Sequence, residues 1–229
     1  MPTPVELDAL WLSLKVATIA TLVSLPLAML AAWLLARTSF AGRTALDAVV
    51  HAPLVLPPVV VGYLLLMALG ARGPVGRWLD SAMGIRLAFT TGGAVLAAAV
   101  MSFPLMVRAI RLSLEAVDGG LEWAARTLGA TRLDAFVSVT LPLMLPGIVS
   151  GAIVAFASSL GEFGATITFA SNIEGETRTL PLAIYTAIQT PDGDLIALRL
   201  VGLSLALAIG ALALAEVADR RVRRMLGRP

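Results

Sequence analysis

Five stretches of more than twenty residues, nearly free of charge, limit what this 229-residue chain can fold into. They run roughly over Leu10–Ala36, Leu46–Gly70, Leu87–Val107, Val139–Leu160 and Leu195–Val217. The hydrocarbon core of a bilayer, about 30 Å thick, takes about 20 apolar residues in an α-helix. Lipid offers the backbone no hydrogen-bond partner, so only helices and closed barrels cross it. Continuous apolar runs lack the alternation of barrel strands. The chain therefore reads as an all-α integral membrane protein with about five spans, a sixth being possible. Composition points the same way, with 58% hydrophobic residues, 14% charged and a mean hydropathy of +0.89. A soluble domain carries about 25% charged residues and has too little interior to hide this much apolar surface.

The basic residues set the orientation. Sixteen of the 17 are Arg, and they cluster. With the N-terminus outside and the C-terminus in the cytoplasm, segments 37–44, 108–138 and 218–229 hold eleven of them. Segments 1–9, 71–86 and 161–194 hold four, and Lys15 and Arg199 sit near span ends, where long side chains snorkel. The first run is read as a retained span. It is too long for a removable leader, and Met1–Leu10 carries Glu6 and Asp8 but no basic residue. Segment 161–194 is read as a broken or re-entrant continuation of the fourth span, then an outside loop, with a short helix at Leu180–Gln189 lying at the outer surface. A sixth crossing there would reverse the C-terminus.

Several chemistries are excluded or disfavoured. The absence of cysteine removes disulfides, thiol nucleophiles and thiolate metal sites, and a single histidine, His51, argues against imidazole ligation and a histidine triad. No metal site and no cofactor is expected. No Gly-x-x-x-x-Gly-Lys-[Ser/Thr] loop occurs, so ATP is not hydrolysed by that route. A membrane-embedded enzyme lacks its motifs here. A small secondary transporter would show mid-membrane carboxylates, whereas Asp47 and Glu216 lie near span ends.

The longest polar stretch between spans, 108–138, contains Leu121-Glu122-Trp123-Ala124-Ala125-Arg126-Thr127-Leu128-Gly129, and after nine intervening residues comes Val139-Thr140-Leu141-Pro142. The pattern predicts two short helices around a glycine turn. Ala124 and Ala125 are small helix formers suited to close approach, and Gly129 stands where a helix wants a left-handed C-terminal cap. Such an element serves either as a plain connector or as a docking site.

At these residues the chain resembles the inner-membrane permeases of ABC importers, whose cytoplasmic signature is Glu-Ala-Ala, three residues, Gly, nine residues, then Ile-x-Leu-Pro. Ala124, Ala125, Gly129, Val139, Leu141 and Pro142 stand in that register. Trp123 occupies the family's Glu position, and Glu122 lies one residue earlier. The resemblance covers about residues 9–217. It implies a type I importer transmembrane domain, with loop 108–138 as a coupling helix seated in a cytoplasmic ATP-binding subunit and 218–229 as a basic cytoplasmic tail. It implies transport by alternating access, an extracytoplasmic solute-binding protein and a bacterial inner membrane. One set of five spans is thin walling for a pathway, so a homodimer with the path on its two-fold axis is expected.

The stretch Leu160-Gly161-Glu162-Phe163-Gly164-Ala165-Thr166, continued by Gly175-Glu176-Thr177-Arg178-Thr179-Leu180-Pro181-Leu182-Ala183-Ile184-Tyr185, resembles molybdate permeases in particular. Sulfate and tungstate permeases are the neighbouring readings. Pro57, Pro58, Gly62, Pro104, Gly161 and Gly164 interrupt spans, either as routine membrane-helix residues or as the broken helices of a pathway. Ser102, Thr90, Thr91, Ser158, Ser159 and Thr166 offer hydroxyls to an oxyanion or to their own helices. A bare carboxylate repels a divalent anion, so Glu162 is expected to be a structural or gating group, paired with Arg178, Arg86 or a backbone amide.

Overall fold

Every regular element described in the computed structural model is helical, and residues 3–225 are described. The order is α1 (Pro4–Arg37), α2 (Arg43–Val55), α3 (Pro58–Leu69), α4 (Pro74–Met83), α5 (Thr91–Glu115), α6 (Gly119–Thr127), α7 (Arg132–Ala135), a π turn (Phe136–Thr140), α8 (Leu141–Leu160), α9 (Gly164–Phe169), α10 (Leu180–Ile188) and α11 (Asp194–Met225). The side chains of the basic tail expected at 218–229 lie outside the described residues.

Among the described residues four helices are long and apolar enough to cross a membrane: Pro4–Arg37, Thr91–Glu115, Arg132–Leu160 and Asp194–Ala213. The expected second span, Leu46–Gly70, is not one helix. Its two halves, α2 and α3, meet at an angle of 118°. Pro57 disfavours helix at the residue before it, and Leu56 is extended, with φ −75° and ψ 142°. Pro58 then opens α3 at a position where a missing N–H costs nothing.

Side-chain packing orders the helices end to end. Leu12, Val16 and Ala20 of α1 pack with Ala94 and Ala98 of α5, while Leu35 packs with Leu114, so α1 and α5 run parallel. Met144 at the start of α8 packs beside Leu114, so α8 returns antiparallel. Ala197 and Leu200, early in α11, join Ala9 and Leu180, placing the start of α11 with that of α1. The α2–α3 pair must then carry the chain across once: Val50 of α2 packs near Leu114, and Leu65, Leu66 and Leu69 of α3 pack near Phe169 and Leu87 at the opposite end. The chain thus passes between the two ends five times, once through a sharply broken pair.

Between α8 and α11, α9 has 6 residues and α10 has 9. Neither has the length of a crossing. Helix α10, expected as a short helix at the outer surface, is packed into the bundle. Leu180, Leu182, Ala183 and Ala187 are buried, and it packs on α1 and α11. The hydroxyl of Ser13, buried on α1, accepts from the Leu180 N–H at 2.7 Å and fixes the start of α10.

Small residues permit two tight crossings. A Cβ on Gly147 of α8 would lie 2.1 Å from the Ser113 Cβ of α5, and Gly151 one turn later faces the Met106 carbonyl at 3.1 Å. Close backbone approach of this kind is how membrane helices gain packing contacts without a hydrophobic driving force. Gly62 of α3 lies against α9, where a Cβ would meet the Ala165 carbonyl oxygen at 2.6 Å. Gly62→Val is expected to push α3 from α9 at a cost of about 2 kcal/mol. Thermal inactivation of the purified protein measures this, and an unchanged midpoint would show that α3 moves freely.

Candidate functional site

One end of the bundle gathers α6, α7 and the π turn beside the C-terminal ends of α1 and α5. Asp118 caps α6, its Oδ1 accepting from the Gly120 N–H at 2.8 Å. Gly129 follows α6 with φ +99°, and the Ala130 N–H reaches the Ala125 carbonyl at 3.1 Å, closing the helix as a Schellman turn. Thr131 and Asp134 form a reciprocal capping box that starts α7. The helix–glycine turn–helix expected from the sequence is therefore present. It is open on its outer side: Trp123, Leu128 and Leu133 are exposed, Leu128 at 89%, and nothing lies within 4 Å of the Cβ position at Gly129. Ala124 is exposed, Ala125 half-buried, and the Arg126 guanidinium lies 4.9 Å over the Trp123 ring.

Glu122 faces the other way. Its Oε1 accepts from the hydroxyl of Thr140, which is 1% exposed on the π turn, and lies 3.7 Å from the Arg37 guanidinium at the end of α1. Arg37 also donates to the carbonyls of Leu114 and Val117 at the end of α5, at 3.5 and 3.4 Å. Arg37, Glu122 and Thr140 thus join α1, the end of α5, α6 and the entry to α8 at a single point. Neither Arg37 nor Thr140 was singled out from the sequence, because they lie 85 and 18 residues from Glu122. Val139, Leu141 and Pro142 carry the chain from the π turn into α8.

The interrupted residues fall into two groups. Pro58 and Gly62 of α3, which follow the break at Pro57, meet Gly164 and Ala165 of α9: a Cβ on Gly164 would lie 2.7 Å from the Pro58 Cβ. Gly161 and Glu162 form the break between α8 and α9. Ser102 and Pro104 do not belong to this cluster. They are buried within α5, and the Ser102 hydroxyl donates to the Ala99 carbonyl of its own helix at 3.3 Å. Thr90 likewise caps α5, accepting from Gly93, and Thr91 donates to the Glu176 carbonyl at 2.8 Å. Thr166 and Ser159 are buried, and Ser158 is half-buried.

The half-buried Glu162 takes the backbone amide among its expected partners: its Oε1 accepts from the Ala165 N–H at 2.8 Å at the start of α9. The two arginines are engaged elsewhere. Arg178 donates to Asn172 at 2.9 Å and Glu174 at 2.8 Å, and Arg86 donates to Asp80 at 3.1 Å, which raises the pKa of that exposed guanidinium. Arg199, read as a span-end residue, is half-buried. It reaches Glu6, 2% exposed on α1, at 3.1 Å. Glu6 also accepts from the Thr3 N–H at 2.7 Å. His51 lies against Asp47, at 2.9 Å from its carbonyl and 3.3 Å from its carboxylate, and Asp47 holds Arg111 at 3.0 Å.

Residues 24–224 match the model of the family described as binding-protein-dependent transport system inner membrane components. The chain belongs to this family. The permease is 60% identical over 226 residues to the molybdenum transport system permease protein ModB of Escherichia coli K12, covering 99% of both chains. It is 52% identical over 222 residues to the protein of that name in Haemophilus influenzae, covering 97% of both. Among solved structures it matches a bacterial ABC transporter that imports the acidic polysaccharide alginate, with a TM-score of 0.77 at 19% identity over 96% of this chain and 80% of that one. The MetNI methionine ABC transporter, in inward-facing form, matches with a TM-score of 0.73 at 17% identity over 97% and 99%. The permease has the fold of a type I ABC importer transmembrane domain and is a multi-pass membrane protein.

Proposed function

We propose that this permease is the membrane subunit of an ATP-driven molybdate importer of the bacterial inner membrane. The carrying observation is the 60% identity to a molybdenum transport permease over 99% of both chains. The exposed helix–turn–helix at Gly119–Ala135 is the face offered to a cytoplasmic ATP-binding subunit, with Trp123, Ala124, Ala125 and Gly129 at its surface. That end of the bundle then faces the cytoplasm, in keeping with the clustering of arginines. The opposite end, with α9, α10 and the loop tied by Glu176 to Thr91, faces outward and receives molybdate from a binding protein. Two copies on a two-fold axis enclose the path. The α3–α9 crossing, built on Pro57, Pro58, Gly62 and Gly164, supplies its broken-helix wall.

Glu122 is the inner half of the coupling device. Motion of α6 driven by the ATP-binding subunit reaches α1 through Arg37 and α8 through Thr140, so a displaced loop displaces two spans together. Trp123, at the family's Glu position, meets the partner with an aromatic face.

Labelled molybdate uptake tests the assignment, in cells lacking their own transporter and supplied with this chain, its ATP-binding subunit and its binding protein. Uptake is expected to be blocked by unlabelled tungstate and unaffected by equimolar sulfate. Competition mainly by sulfate would overturn molybdate and keep the permease.

A further inference from the structure

A cavity of about 730 Å³ opens beside the Arg37–Glu122 contact, between α1, α6, α7 and the π turn. Its wall along α1 is graded. Met29, Leu30, Trp33 and Arg37 follow one another over two turns, from apolar through aromatic to basic. The facing wall repeats the order, with Leu114 buried, Phe136 and Arg126 half-buried and Arg132 exposed. Glu122 is the one acidic residue in the lining, and Arg37, Arg126 and Arg132 are the three basic ones, leaving the cavity two positive charges in excess. Of the three arginines Glu122 pairs with Arg37; no ion pair joins Arg126 or Arg132 to an acid among the described residues.

We propose that this cavity binds an anionic phospholipid of the inner leaflet, its headgroup phosphate between Arg126 and Arg132 and an acyl chain along Met29, Leu30 and Phe136. The gradient argues for an amphiphile. A small free anion would leave the apolar wall empty, and an uncharged lipid would leave the two arginines without a counter-charge. Basic pockets between membrane helices on the cytoplasmic side are suited to anionic headgroups, and Trp33 stands where aromatic side chains meet the interface. The leaflet rests on the proposed cytoplasmic placement of α6. A lipid seated here touches Arg37 beside its contact with Glu122, so occupancy bears on how firmly α6 is held to α1.

The test uses the complete permease–ATPase complex in nanodiscs of phosphatidylcholine, with or without phosphatidylglycerol, and reads retained lipid by native mass spectrometry. Phosphatidylglycerol is expected to stay bound to the wild type in preference to phosphatidylcholine. The Arg126→Gln/Arg132→Gln double variant is expected to lose that preference at least fivefold, and Trp33→Ala to weaken retention of both lipids. Unchanged phosphatidylglycerol retention in the double variant overturns the proposal, as does equal retention of the two lipids by the wild type. Displacement of the lipid by inorganic phosphate alone would replace the amphiphile with a free anion and equally overturn it. Molybdate uptake by the wild type in the same membranes is read in parallel, so failure of the transport assignment shows separately from failure of the lipid site.

Discussion

Glu122→Ala is expected to leave ATP hydrolysis by the assembled importer running while molybdate uptake per ATP falls about tenfold or more. The carboxylate accepts from Thr140 and faces Arg37 at 3.7 Å, so its removal frees α6 from both α8 and α1. A hydrogen bond to a charged group contributes about 1.5–3 kcal/mol, and about 1.4 kcal/mol corresponds to a factor of ten in an equilibrium. Weakened by that amount, the contact lets the loop follow the ATP-binding subunit without carrying the spans. Glu122→Gln retains a side-chain partner for Thr140 and loses only the attraction to Arg37, so its uptake is expected to lie between wild type and Glu122→Ala. Hydrolysis and uptake measured together in proteoliposomes separate the possibilities. A parallel fall in both would mark Glu122 as scaffolding, and normal uptake by Glu122→Ala would remove it from coupling.

Arg199→Met is expected to destabilise the permease by about 3 kcal/mol, because it leaves the Glu6 carboxylate buried without its counter-charge. Glu6 is 2% exposed and Arg199 lies 3.1 Å from it, joining the start of α1 to the start of α11. Breaking one member of a buried pair costs more than removing both, since the desolvated charge stays behind. The double variant Glu6→Gln/Arg199→Met is therefore expected to recover most of the loss, the Gln oxygen still accepting from Thr3. Thermal inactivation midpoints of the purified protein measure both. A single variant as stable as wild type would show that water reaches Glu6 and that the pair contributes little.

The two ion pairs were not legible in the sequence for the same reason. Glu6 and Arg199, like Arg37 and Glu122, look like ordinary span-end charges, and their partners come from helices far along the chain. The sequence reading placed Arg199 in the interface by snorkelling, whereas packing of α10 and α11 on α1 brings it to Glu6. Gly147, whose Cβ position falls against Ser113, also escaped notice, since a glycine in an apolar run does not say which helix it faces. Pro104 stands with the broken-helix residues because it interrupts an apolar run, and Ser102 with the pathway candidates because of its hydroxyl. Their side chains fall inside the α5 packing, away from Pro58, Gly62 and Gly164.

What the sequence determined by itself was local. Runs of apolar residues must be helical in lipid, so five spans stood out, although two of the helices begin before their apolar runs, where Thr3 and Thr131 cap them, and α5 begins inside its run, where Thr90 caps it. The helix–turn–helix was equally plain, because Asp118, Gly129 and Thr131 act on backbone groups within a few residues of themselves. Tertiary structure alone decided the direction of the break at Pro57–Pro58, the burial of α10 and the inward turn of Glu122. A proline states that a helix stops but not where the next one goes, and a carboxylate takes whichever cation the packed helices bring within reach.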